Sequence, residues 1–553
     1  MLLCFSRQFY TKILIIMNTI ESRTCSLLFT ALLIINIALG LYFAFKHSFI
    51  QDDAFISFRY AQNLISGRGL VYNTGERVEG YSNFLWTLMI ALFMYFGKNP
   101  VIVSRTLSVF FYLLMTVTVH FYCLNFLKSI KNKIGFLDLL PLVSLLLIPL
   151  NESSSSYATG GLETSCFSFF IMLSFFLCLF TRNKNRLLYL SSNISLLLLC
   201  LTRPEGLFFY FVINIFIFLD LLSRTPVFRK VFMDILRWNI PFILLFAIYL
   251  MWKWQYYGSI LPNTYYAKSV SENHFYHGAV YLFYFFISYY YLLPIVFLLV
   301  FSIYVFIKDP GGLKSDTPIS YAQKKYYFPL IISYFLFLIY IAKVGGDFME
   351  YKPIMHIYPC IITSFCLCLM ILGCKNGRFA VITPFILLIV VSMAVNPAVK
   401  YPFGVQSVEA LNESITREGG WAETGKILRK KLPPETIIST AAAGAIPYYS
   451  ELTTIDYFGL NDRAIAIKST SDKNRSGHRK MATRAYLVSR GVNLIFHPAQ
   501  DILPCSDIKT VSGYDLIIRL SRKYCLKAVY LIKKDKLSRH FESHPEDFIL
   551  QHD

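Results

Sequence analysis

Charge is scarce in this sequence. Asp, Glu, Lys and Arg make up 16% of its 553 residues, where a soluble globule carries about 25%. Nucleotide machinery is missing too. No Walker loop, dinucleotide fingerprint, nucleophile elbow or zinc spacing occurs in a fitting context. Neither an internal repeat nor a low-complexity tract is found. The first absence excludes an ordinary soluble enzyme, and the second argues against a soluble nucleotide donor. The lack of repeats counts against a transporter, which is often built from two related halves with polar residues deep in mid-span.

What the chain has instead is hydrocarbon: 55% hydrophobic residues, with 50 Phe and 38 Tyr. Apolar runs of roughly 18 or more residues recur, the signal for transmembrane helices. Spans are expected at about 26–46, 105–127, 135–150, 165–181, 187–202, 207–222, 238–256, 283–307, 326–343, 354–373 and 379–396, eleven in all. Cys25 to Phe45 is long and ends in bulky residues, so it reads as an uncleaved anchor rather than a signal peptide. The segment 84–97, "FLWTLMIALFMYFG", has only fourteen residues and reads as an interfacial or re-entrant helix.

The net charge of +20 lies largely in short loops between these runs, so it sets topology and does not indicate nucleic-acid binding. With the N-terminus inside, one face collects Arg23, Lys128, Lys131, Lys133, Arg224, Arg229 and Lys230. The other face then holds 47–104, 151–164, 203–206, 257–280, 344–353 and the polar tail. Ten of the sixteen acids in residues 1–400 fall there, among them Asp52, Asp53, Glu76, Glu79, Glu163, Glu205, Asp347 and Glu350. An acid in hydrocarbon costs about 2.5 kcal/mol or more, so such residues mark a polar cavity.

The expected domains are a transmembrane part, 1–400, with a catalytic first outer loop at about 47–104, and a small α/β domain, 401–553. In the tail, "WAETGKILRKKL" reads as helix, "ETIISTA" as strand, "YLVSRGVNLIFHP" as helix then strand, and "CLKAVYLIKK" as strand. The polar stretch 468–480 reads as a loop. Of twelve cysteines, Cys360, Cys366, Cys368 and Cys374 share one span and suit helix packing better than a metal. Cys505 and Cys525 can pair if the tail lies in an oxidising compartment.

Residues suited to chemistry sit in the outer turns. Asp52 and Asp53 are adjacent where a helix leaves the bilayer. One could take a proton from a hydroxyl and the other hold a metal or orient an acceptor; equally, the acids cap the helix that follows. Arg59, Arg68 and Arg77 in the same loop suit phosphate, or ion pairs with Glu76 and Glu79. Glu163 in "GGLET" opens a span, as a functional acid or a complement to the helix dipole. Arg203 and Glu205 in "TRPEG" form a structural ion pair or a substrate contact. "LPNTYYAKS" offers Asn263, Tyr265, Tyr266 and Lys268, a set that suits sugars and phosphates. "GGDFMEYK" presents Asp347 on a glycine turn.

Taken together, "DDAFISFRYAQNLISGRGLVYNTGERVEGYSNFLW", "GGLET", "TRPEG", "LPNTYYAK" and "GGDFM" resemble the polytopic GT-C glycosyltransferases, and among them the mycobacterial terminal arabinofuranosyltransferase family and its bacterial relatives. The likeness extends to "AAAGAIPYYSELTTIDYFGLND" in the tail. It implies a polytopic α-helical protein of GT-C fold, with about eleven transmembrane helices plus a juxtamembrane helix. The implied partners are a polyprenyl-phosphate sugar donor, a cell-envelope glycan acceptor and membrane lipids. The implied location is the bacterial inner membrane, with the N-terminus cytoplasmic and the tail periplasmic. By the same resemblance Asp52 and Asp53 are the catalytic carboxylates. Lys268 and the loop arginines are candidates for the donor phosphate, and Asp347 for acceptor or structural contacts. Glu163, Arg203, Glu205, Asn263 and Tyr265 are candidates for sugar or acceptor binding. Some enzymes of this class use a divalent cation, and the sequence leaves that open. Rival readings are a glycan polymerase or ligase using a pyrophosphate-linked donor, which should lean on paired arginines, and a lipid or sugar transporter.

Overall fold

The structure, a computed structural model, describes residues 23–181, 185–225, 227–268, 274–308, 321–376, 400–402, 404–468, 480–507, 516–532 and 535–550. The run 379–396, expected as a further span, and residues 469–479 of the expected loop lie outside them.

Among the described residues, five helices are long and apolar enough to cross a membrane: Arg23–Lys46, Pro100–Ile130, Gly206–Arg224, Phe228–Tyr257 and Gln323–Val344. Shorter apolar helices accompany them at Phe84–Tyr95, Phe136–Leu150, Thr164–Phe180, Arg186–Thr202 and Tyr358–Gly373. The chain is a multi-pass membrane protein. Pro100–Ile130 is largely buried, packed on Thr164–Phe176. Phe228–Tyr257 exposes Leu244, Ile248 and Met251 at helical spacing, an apolar stripe suited to lipid.

Two expected spans differ in detail. Residues 283–307 do not form one helix: Phe275–Ser288 and Leu292–Tyr304 meet at 111°. Pro294 has no N–H to offer the Tyr290 carbonyl, which breaks the helical ladder. The hydroxyls of Tyr289 and Tyr291 then hold the bend against Ser153 and Asn151, at 2.6 and 2.9 Å. In 136–150 the middle turns, Leu140–Leu146, are wound as 3-10 helix around Pro141. Phe84–Tyr95 has twelve residues, about 18 Å of helix. It leaves Leu92, Phe93 and Tyr95 exposed.

The first loop opens with the helix Asp52–Ile65. Its cap is Gln51, whose side chain accepts from the Asp53 N–H, so both acids lie inside the first turn rather than at the cap. Their negative charge favours that end of the helix.

The tail carries a seven-stranded sheet of order β2-β1-β3-β6-β5-β7, with β4 also on β6. The strands are β1 Ile437–Thr440, β2 Thr453–Asp456, β3 Leu494–Phe496, β4 Ile502–Pro504, β5 Leu516–Arg519, β6 Tyr524–Tyr530 and β7 Phe548–Leu550. β1 runs parallel to β2 and β3; the remaining pairs are antiparallel. The helix Trp421–Lys431 adds Leu428 to a core with Ile438, Leu494, Leu516 and Leu526. The expected helix at "WAETGKILRKKL" and the expected strands at "ETIISTA", "LIFHP" and "CLKAVYLIKK" are present; β2, β4, β5 and β7 were not anticipated.

Cys505 and Cys525 are joined by a disulfide, with Cα atoms 5.1 Å apart and 20 residues of separation. It fastens the segment after β4 to β6. Cross-linking a loop of this size restricts the unfolded chain by roughly 3 kcal/mol. Cys505→Ala with Cys525→Ala should destabilise the tail by about that amount, read from denaturant unfolding of the full chain, and reductant should reproduce the loss.

Candidate functional site

The polar turns between helices gather at the end of the bundle where the tail packs. They enclose a cleft of about 640 Å³, open to solvent and lined by Asp53, Glu163, Arg203, Lys268, Asp347 and Lys352, among others. These residues come from five separate stretches of sequence, and each is delivered by the end of a helix or a tight turn.

Asp53 is half-buried at the cleft, on the first turn of Asp52–Ile65. Burial raises its pKa above the ordinary 3.8, while the cations Lys268 and then Lys352 pull it down. A carboxyl held between these effects suits a proton acceptor.

Glu163 anchors one side of the cleft. It precedes the helix Thr164–Phe176 but its side chain makes no cap. Instead it pairs with Arg203, lies 3.5 Å from Lys352 and accepts from Asn83 Nδ2 at 3.0 Å. Burial alone raises its pKa, but Lys352, Arg203 and Asn83 outweigh that and hold the carboxyl well below the usual range. Arg203 also donates to both oxygens of Glu205, at 3.2 and 3.0 Å. Burial opposes its charge, but Glu205 and Glu163 raise its pKa. Ser57 donates to Asn83 Oδ1 at 3.1 Å, extending the network to the Asp53 helix. His356 at the cleft is 3% exposed. Burial, then Arg203 and Lys352, push its pKa well below 6.5, so the imidazole is neutral.

Asp52, next to Asp53, faces the other way. Its Oδ2 accepts the Gly444 N–H at 3.0 Å and its Oδ1 the Ala445 N–H at 2.7 Å, both from the tail. Burial pushes its pKa up to about 7, against the pull of the Ala445 N–H.

The loop arginines lie outside the cleft. Arg59 is buried, and its guanidinium donates to Tyr72 O, Asn73 Oδ1, Pro447 O and Leu452 O. It fastens the first loop to the tail. Arg68 and Arg77 are exposed, and Arg77 stacks over Tyr256 at 4.8 Å. The ion pairs expected between these arginines and Glu76 or Glu79 do not form. Glu76 pairs with Arg490 of the tail, and Glu79 with Lys253 at 2.8 Å inside the protein. Asn263 gives its amide to Gly459 O and Leu460 O, each at 2.9 Å, and so holds the tail. Tyr265 is exposed; its neighbour Thr264 lines the cleft. Lys268 is at the cleft, on Asn263–Lys268.

Lys352, His356, Asn83, Ser57 and the tail residue Leu460 also line the cleft and were not singled out from sequence. Lys352 stands in the quoted "GGDFMEYK" and Asn83 in "GYSN", so a lysine and an amide beside predicted polar turns were the available signals. Leu460 had none. It arrives because Asn461 presses on the first loop: a Cβ at Gly80 would lie 1.9 Å from Asn461 Oδ1.

A divalent cation held by the protein needs several convergent carboxylates or imidazoles. Among the described residues no group of three or more His, Cys, Asp or Glu could hold one. Glu163 is already paired with two cations, and the lysines Lys268 and Lys352 share the cleft with Asp53. These residues do not fit a resident metal.

Removing the buried anion between Arg203 and Lys352 takes the ion pair from Lys352 and leaves Arg203 with Glu205 alone. Glu163→Ala should cost about 3–5 kcal/mol of stability, measured by unfolding in detergent, and Glu163→Gln should cost less because the amide still accepts.

No protein of curated function matches this chain. Residues 409–539 match a domain family of unknown function, DUF8728. Two solved structures of ArnT from Cupriavidus metallidurans are similar to it, each covering 91% of this chain and 99% of that one. The apo structure is 12% identical with a TM-score of 0.48. The structure bound to undecaprenyl phosphate is 11% identical with a TM-score of 0.50. These findings do not reach the mycobacterial arabinofuranosyltransferase family, a likeness that stays with the motifs. What the likeness to the undecaprenyl-phosphate-bound ArnT structure shows is the fold, which is of the GT-C class.

Proposed function

We propose that this chain is a glycosyltransferase that moves a sugar from a polyprenyl-phosphate-linked donor to a hydroxyl of a cell-envelope glycan. In this reading it acts on the outer face of the bacterial inner membrane, with the N-terminus cytoplasmic and the tail, 401–553, outside. One observation carries the reading: a half-buried carboxyl, Asp53, stands among Lys268, Lys352 and Arg203 in a cleft at the end of an apolar helix bundle. Support comes from the GT-C fold and from an ArnT of that fold having been solved with undecaprenyl phosphate. The basic residues beside a membrane favour a lipid phosphate over a soluble donor.

The chemistry assigns one role to each group. The acceptor oxygen bonds to the anomeric carbon as the bond from that carbon to the phosphate oxygen breaks. Asp53 takes the acceptor proton. Lys268 and Lys352 neutralise the charge that collects on the departing phosphate. Arg203 and Asp347 shape the sugar site, Glu205 holds Arg203 from outside the cleft, and Glu163 holds Arg203 and Lys352 in place. Arg59, Arg68 and Arg77 are remote from this chemistry, so the phosphate is assigned to the two lysines. Asn263 and Tyr265 contribute through the tail and the rim.

Asp53→Asn should lower transfer by roughly 10²–10⁴-fold in vesicles supplied with a polyprenyl-phosphate sugar, with the protein still inserted and folded. Full activity in this variant removes Asp53 from the mechanism. The base works only when deprotonated, so activity should be lost as pH falls through its raised pKa. Lys268→Met removes a cation that lowers that pKa. The acid limb should therefore move to higher pH, and a limb that stays in place assigns the proton to another group.

A further inference from the structure

We infer that Asp52 is a positioning residue: by binding Gly444 and Ala445 it docks the tail on the first-loop helix, fixes Asp53 and makes the tail a wall of the reaction cleft. The inference rests on the function proposed for Asp53 and divides the labour of the two adjacent acids.

Neighbouring helical residues point about 100° apart, so the pair cannot share one target. Asp53 turns to the lysines of the cleft. Asp52 spends both oxygens on tail N–H groups, at 3.0 and 2.7 Å. The approach is close. A Cβ on Gly444 would fall 1.9 Å from the Asp52 carbonyl oxygen and 2.7 Å from its Cγ, so a side chain there cannot coexist with the contact.

The same seam continues away from Asp52. Tyr72 donates to Ala443 O at 2.6 Å, and Asn73 Nδ2 to Thr454 O at 2.9 Å. Tyr60 donates to Asn461 Oδ1 at 3.2 Å. The seam ends beside Leu460, which lines the cleft with Asp53. One helix, Asp52–Ile65, therefore carries the proposed base and, through Asp52, Arg59 and Tyr60, part of the seam that holds the tail. Displacing the tail shifts the helix and opens the cleft, and a misplacement of 1 Å costs on the order of 100-fold in rate.

The test uses the full chain in lipid vesicles, reading sugar transfer from a polyprenyl-phosphate donor and hydrogen exchange over residues 441–456. Gly444→Ala leaves both carboxylates in place. It should lower transfer on the order of 100-fold and speed exchange in that segment, matching Asp52→Ala. Asp52→Asn, whose remaining oxygen still accepts one N–H, should fall between these variants and the parent and retain an acid limb in its pH profile. Asp53→Asn should lower transfer by the roughly 10²–10⁴-fold expected for loss of the base and leave the exchange of 441–456 unchanged. The inference is overturned if Gly444→Ala keeps full transfer. It is equally overturned if Asp52→Asn is as inactive as Asp53→Asn while exchange stays slow, because Asp52 would then act chemically. If Asp53→Asn transfers normally, the proposed function of Asp53 fails, while exchange still reports separately whether Asp52 holds the tail.

Discussion

A carboxylate at the edge of hydrocarbon must be compensated, and the site depends on that constraint. Glu163 shows it most directly: almost fully buried, it is matched by Arg203, Lys352 and the Asn83 amide. Three elements distant in sequence meet on one anion. Removing one of the charges weakens the compensation of the others at the buried floor of the cleft, so the network ties the helix ends together. The cleft is the space left between these compensated groups.

The division between Asp52 and Asp53 follows from the same physics. Two ionised carboxylates side by side repel, and neither can be left bare near a bilayer. Their environments differ: backbone N–H groups from the tail for one, lysine cations across a cleft for the other. Arg59 gives a parallel case. Its charge and fork geometry suit a phosphate, yet its guanidinium donates to backbone carbonyls of the loop and the tail. In this protein the first loop is therefore as much a docking platform as a source of reacting groups.

Legibility varied with how local the signal was. Apolar runs marked most helices, because hydrocarbon length is a property of consecutive residues. The break at Tyr289–Tyr291 escaped because Pro294 stands inside a run that is otherwise apolar. Short buried strands such as β5 escaped because three apolar residues in a row read equally as helix or strand. The motif turns were seen as polar and placed on one face. Asp53, Glu163, Arg203, Lys268 and Asp347 of those turns do line one cleft, whereas Arg68, Arg77 and Tyr265 do not.

Sequence alone determined that this is a multi-pass membrane protein whose acids and glycine-rich turns keep out of the hydrocarbon, because burying charge without a partner is too costly. It also determined the helix and several strands of the tail, through periodicity. Tertiary structure alone decided which acid faces the lysines, which arginines are spent on backbone, and that Leu460 of the tail reaches the cleft. Those outcomes depend on groups hundreds of residues apart arriving within 3 Å of one another, and no local pattern encodes such a meeting.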